Sequence, residues 1–155
     1  MLHLHINFLF LMSLHKEALM SADSAHGNVK VYWVHNMLVI EPTSAFNIEG
    51  LVASINTLKQ AIDTRIVDKW ARIVFFQNTS TLGPLDGMEL VIDSFQYCAL
   101  NGCQLVSVVG GSVLNKESYT KIGEHVDLPV YFFDSMQEAK DFINQNLESK
   151  LSSPP

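Results

Sequence analysis

A chain of 155 residues with 48% hydrophobic content, nine Phe and a net charge of −6 has enough apolar material for one full core. That excludes a disordered chain and a disulfide-dependent miniprotein. Its ten Lys and Arg are scattered, so it lacks the clustered basic surface that tracks a phosphate backbone, and no nucleic-acid partner is expected.

Residues 1–20 are apolar from Ile6 to Leu14, interrupted by Asn7 and Ser13. The run is too short to span a bilayer, so no transmembrane segment is expected. No Lys or Arg precedes it, and Lys16 and Glu17 follow it directly, which makes a poor export signal. Three readings stay open: a start placed too early, with Met20 or Met12 as the true one; a weak export signal; or an amphipathic surface helix. The first is preferred, with residues 1–27 as a leader, 28–147 as the folded domain and 148–155 as a flexible tail.

Val29–His35 is rich in β-branched and aromatic residues, Asn36 signals a turn, and Met37–Glu41 resumes the apolar run. This predicts a β-hairpin, closed by Pro42, which has no N–H for a ladder. Tyr32 and Trp33 are adjacent on its first strand and point to opposite faces, so one of them is expected to meet solvent or a partner. From Asn47 the period becomes helical: Ile48, Leu51, Val52, Ile55, Leu58 and Ile62 form one inward stripe, with Asn47 as N-cap.

Ile73–Phe76 is apolar without alternation, as expected of a strand covered on both faces. A polar loop follows, and then a second helix with Met88, Val91, Ile92, Phe95, Cys98 and Ala99 inward, ended by Asn101 and Gly102. Gln104–Val109 reads as the next strand, broken by Gly110 and Gly111. Asn115 is expected to cap a third helix with Tyr119, Ile122 and Val126 inward, weakened by Gly123. Pro129 precedes a last strand, Val130–Phe133. Ser135 and Glu138 fit a capping box opening a final helix with Met136, Ala139, Ile143 and Leu147 on one face.

The order β-β-α-β-α-β-α-β-α predicts an α/β fold with a mainly parallel central sheet, an N-terminal β-hairpin and about four helices. With Phe133–Ile143 closing the domain, it resembles the STAS domain, the fold of bacterial anti-sigma-factor antagonists and of sulfate-transporter cytoplasmic tails. The opening hairpin and the Asn47–Gly50 helix entry resemble the related SpoIIAA-like group. The resemblance covers about residues 28–147. It implies a cytoplasmic, non-catalytic regulatory module that binds another protein or, as an alternative, a lipid or small apolar ligand. A homodimer is compatible with it.

In phosphorylatable members, Asp-Ser-Ser-Gly opens the second helix, where free N–H groups and the helix dipole favour added negative charge. Aligned without gaps from the preceding strand, the matching residues here are Pro84, Leu85, Asp86 and Gly87, and only Gly87 agrees. The phosphorylatable serine is therefore expected to be missing. Asp86 in the first turn, together with the N–H that Pro84 lacks, makes a poor anion site. The resemblance instead implies a partner-docking surface made by Asn78, Thr79, Ser80, Thr81, Gly83, Asp86 and Gly87. Thr79, Ser80 and Thr81 are read as loop residues that satisfy backbone groups, with their phosphorylation left open.

No catalytic constellation is apparent. Gly83–Gly87 lacks the P-loop pattern. Gly110, Gly111 and Ser112 read as a turn, and no third group ties Ser112 to His125. The six His and two Cys show no metal spacing, so no metal or cofactor is expected. Cys98, on a helix, and Cys103, opening a strand, are expected to be buried free thiols.

Overall fold

The computed structural model describes residues 25–65, 67–78 and 87–149. The proposed leader up to Ser24, most of the polar loop and the last six residues lie outside them. Strand β1 (Val29–Val34) turns through His35 and Asn36 into β2 (Met37–Pro42). His35 takes the left-handed conformation, with φ 52°, that this tight turn needs. Helix α1 (Ile48–Asp63), β3 (Trp70–Phe76), α2 (Met88–Leu100), β4 (Cys103–Gly110), α3 (Val113–Val126), β5 (Val130–Phe133) and α4 (Met136–Ser149) complete the order.

The five strands stand in chain order, β1-β2-β3-β4-β5. β1 pairs antiparallel with β2, and the other three pairings are parallel. Each parallel step moves one place in the same direction, so the right-handed crossover rule puts α1, α2 and α3 on one face. Helix α4 packs on the other face. There Met37, Val39, Ala71, Ile73, Leu105 and Val109 of the strands meet Ala139, Ile143 and Leu147. Leu38, Ile40, Trp70, Val74, Phe76, Val106 and Val108 point to the three-helix face. This alternation is the strand period of two. Pro42 lies beyond the β3 ladder, which ends at Ile40, so its missing N–H breaks no bond there.

The helix ends follow local chemistry. Asn47 caps α1, its side chain accepting from Gly50 N at 2.9 Å and from His26 N at 2.8 Å. Ser135 and Glu138 form the expected reciprocal box at α4. At α3 the expectation is corrected: the N-cap is Ser112, and Asn115 sits at the third helical position. Ser112 Oγ accepts from Asn115 N, while Asn115 Oδ1 accepts from Ser112 N at 2.9 Å. Asn at that place mimics the Glu or Gln of a capping box, which a search for S-x-x-E overlooks.

Gly123 is more than a weak helix former. A Cβ there would fall 2.4 Å from Val130 Cγ2 and 2.8 Å from the Leu128 carbonyl oxygen. Only a glycine lets the C-terminal end of α3 lie this close to β5.

Candidate functional site

Trp70, Arg72, Val74 and Phe76 are alternate residues of β3, so Arg72 points with the other three toward the helices. It is 5% exposed, on the central strand of the sheet. Its guanidinium stacks over the Phe95 ring, 4.4 Å from the centroid. Nη1 donates to Ser94 Oγ at 3.3 Å and makes a long contact of 3.8 Å with Cys98 Sγ. Nε is buried with no hydrogen-bond partner, and among the described residues no carboxylate pairs with the group. The Ser94 hydroxyl is oriented by its own bond to Val91 O at 2.7 Å, which leaves its lone pairs for Arg72.

Arg72 borders a hollow of about 490 Å³ between the sheet and the helices. Ile40 and Phe76 form its floor, Leu51, Ile55 and Leu58 one wall, and Val91 and Ile122 the others. Met88 and Leu114, 40% and 63% exposed, stand at the rim. Among the described residues the polar groups in the lining are few: Arg72, Ser54, Ser94, Asn115, Ser118 and Tyr119. A largely apolar cavity of this size with a few convergent polar groups is the usual form of a small-molecule site. It lies toward the carboxyl edge of the parallel strands, where Phe76 ends β3 and α2 and α3 begin. That is the edge at which open α/β sheets take ligands.

The hollow explains where the helical stripes depart from expectation. Leu58 and Ile62 of α1 are buried, but Ile48, Leu51 and Ile55 are only half-buried and Val52 is 40% exposed. The first half of the helix faces cavity, not packed side chains. Met88, expected inward, is a rim residue for the same reason.

Burial is the main influence on the titratable groups here. It raises Tyr119, with the nearby Arg72 charge offsetting part of the rise. It also raises the Cys98 thiol, again partly opposed by Arg72, and raises Cys103 far above the ordinary range. Both cysteines are buried and free, as the sequence implied, and in this setting they are neutral thiols and not nucleophiles.

Of the docking surface expected from the sequence, only the two ends are described. Asn78 is exposed just past the end of β3, and Gly87 is buried at the N-cap of α2. Thr79, Ser80, Thr81, Gly83 and Asp86 lie outside the described residues, as do Pro84 and Leu85. The two described ends flank the hollow, since Phe76 and Met88 both line it. Ser112 and His125 stand at opposite ends of the 14-residue α3, with the serine committed to its capping box, so they form no pair. Tyr32 proves to be the exposed member of the aromatic pair, bonded through its hydroxyl to Glu41. Trp33 packs edge-on against Trp70 and donates to Ala61 O at 3.0 Å. Among the described residues no helix is long and apolar enough to cross a membrane.

Searches among protein-family models and curated proteins give no match. Solved structures do match. The anti-sigma factor antagonist SpoIIAA in its unphosphorylated form superposes with a TM-score of 0.55 at 14% identity. The alignment covers 76% of this chain and 98% of that one. The fold is SpoIIAA-like. An anti-sigma factor antagonist from Mycobacterium paratuberculosis aligns with a TM-score of 0.49 at 13% identity, over 77% of this chain and 95% of that one. The SpoIIAA-like architecture is thus what the STAS resemblance implied, a mixed five-stranded sheet with four helices. Arg72 is the residue that sequence reasoning missed. Its signal was a lone charge inside a strand otherwise apolar from Trp70 to Phe76.

Proposed function

We propose that this chain is a non-catalytic regulatory module of the SpoIIAA type that holds a small apolar ligand in the hollow of its helical layer. The observation that supports it is the cavity of about 490 Å³ bounded mainly by aliphatic and aromatic side chains. A ligand that binds only the folded state raises the melting temperature as its concentration exceeds Kd. Ten-carbon probes, 1-decanol and decanoate, are expected to raise it, and Ser118→Phe, which fills the hollow, is expected to abolish the rise. If neither probe shifts the wild type, the reading is wrong.

A second reading is favoured by the placement of Asn78 and Gly87. They frame a loop between β3 and α2, beside the hollow, in a fold whose structural neighbour is by name an anti-sigma factor antagonist. Here the module docks another protein through Asn78, Thr79, Ser80, Thr81, Gly83, Asp86 and Gly87, without a phosphorylatable serine at Leu85 or Asp86. Partners captured by the wild type should be lost from a Ser80→Glu, Asp86→Lys double variant. Equal capture by both would move the surface elsewhere.

A further inference from the structure

A guanidinium stays protonated in any protein setting, so Arg72 carries a full positive charge into the core. Burying a charge costs several kcal/mol unless it is paired and its donors are satisfied. The partners it has are a ring face, one serine oxygen at 3.3 Å and a thiol sulfur at 3.8 Å, all neutral. Nε, one of the donors of the guanidinium fork, is unused. Among the described residues that line the hollow there is no Asp, Glu or Lys, and the one fixed charge they carry is the positive charge of Arg72. An apolar chamber with a single uncompensated cation on its wall is complementary to an apolar molecule bearing one negative charge.

We propose that the hollow takes a monocarboxylate amphiphile of fatty-acid type, with its carboxylate on Arg72 and its chain along the α1 wall. This rests on the ligand-binding reading above and adds the chemical class of the ligand. The planar fork of Arg suits a carboxylate, and charge-assisted bonds in a water-poor site are the strong ones. Charge balance favours a carboxylate over a phosphate monoester, which would bring nearly two negative charges to one guanidinium. The Tyr119 phenol and Ser118 hydroxyl line the same chamber and offer further donors. Leu51, Ile55 and Leu58 give the chain an aliphatic track toward the rim. Allowing about 30 Å³ per non-hydrogen atom, the share of a water molecule in the liquid, 490 Å³ has room for about sixteen such atoms. Medium-chain acids fall within that size.

The test is isothermal titration of the full chain with decanoate, 1-decanol and decyl phosphate. Wild type is expected to bind decanoate about ten- to a hundred-fold more tightly than 1-decanol, the range of a charged hydrogen-bonded contact. In Arg72→Met that preference should disappear, with 1-decanol binding retained. Equal affinity of wild type for the acid and the alcohol would overturn the Arg72 anchor while leaving the ligand-binding reading intact. Tighter binding of decyl phosphate than of decanoate would overturn the monocarboxylate assignment. Failure of all three probes would instead remove the ligand-binding reading itself. The wild-type comparison decides the matter even where the Arg72→Met variant does not fold.

Discussion

Ile143 of α4 and Ile55 of α1 are the same side chain set against opposite faces of one sheet. Ile143 is fully buried among Met37, Val39, Ala71 and Ile73 and their neighbours, with Ala139 and Leu147 beside it on α4. Ile55 is half-buried and borders the hollow. Both helices carry an apolar stripe at helical spacing, and the stripes read alike in the sequence. One helix seats Ala139, Ile143 and Leu147, all buried, against the middle strands of its face. Three helices share the other and leave a chamber between them. An apolar stripe shows which face of a helix turns inward, but not whether that face meets side chains or space.

Among the described residues the two faces also differ in the polar atoms left buried without a partner, Ser107 Oγ on the α4 side and Arg72 Nε on the three-helix side. An unmatched hydroxyl costs about 1–3 kcal/mol and is a tolerable defect in a packed core. A guanidinium is a different matter, because it cannot lose its charge. The unmatched charge on the hollow face is what the proposed ligand site accounts for, since proteins place strained or unsatisfied groups at working sites.

The largest expected effect tests that contrast directly. Ile143→Ala should destabilise the fold by about 2–5 kcal/mol, as deletions in tightly packed cores do. Ile55→Ala should cost about 1 kcal/mol or less, because its side chain already borders space and its removal only enlarges an existing cavity. Urea unfolding of both variants beside wild type measures the difference. Losses of equal size would mean that the α1 face is as tightly packed as the α4 face, and the contrast would fail.

Much of this architecture was legible in the sequence. The hairpin, the alternation of strand and helix, the buried central strand and the α4 capping box all depend on local periodicity and end chemistry, which need only neighbouring residues. The Ser112 cap was misplaced by three residues because Asn115 has the right chemistry for either position. The hollow was not legible, because it depends on how far α1 stands from the sheet, a distance set by packing remote in sequence. Arg72 lay in plain view inside a strand already expected to be covered on both faces. The two facts together imply a buried charge, and that inference needs no structure. Of the docking loop, the flanking Asn78 and Gly87 take up the ends that the strand-loop-helix frame implies, while the residues between them remain a proposal.

A smaller effect sharpens the comparison by asking whether the hollow reflects a loosely held layer. Gly123 lies at the far end of α3 from Leu114 at the rim. Helix propensity alone predicts that Gly123→Ala stabilises by about 1 kcal/mol. Contact with β5 predicts the opposite. The new methyl would meet Val130 at 2.4 Å and the Leu128 carbonyl at 2.8 Å, and that carbonyl belongs to backbone that cannot rotate aside. The same turn is fixed by Leu128 N donating to Gly123 O at 3.0 Å and by Asp127 in the left-handed conformation. Overpacking of this kind costs about 1–3 kcal/mol, so the net change in urea unfolding should be a loss. Such a loss would show that α3 is seated hard on β5 and that the chamber at its other end is a built opening. A gain of the size expected from propensity would show α3 riding free of the sheet, and the hollow would then be slack in the layer, with no claim to be a site.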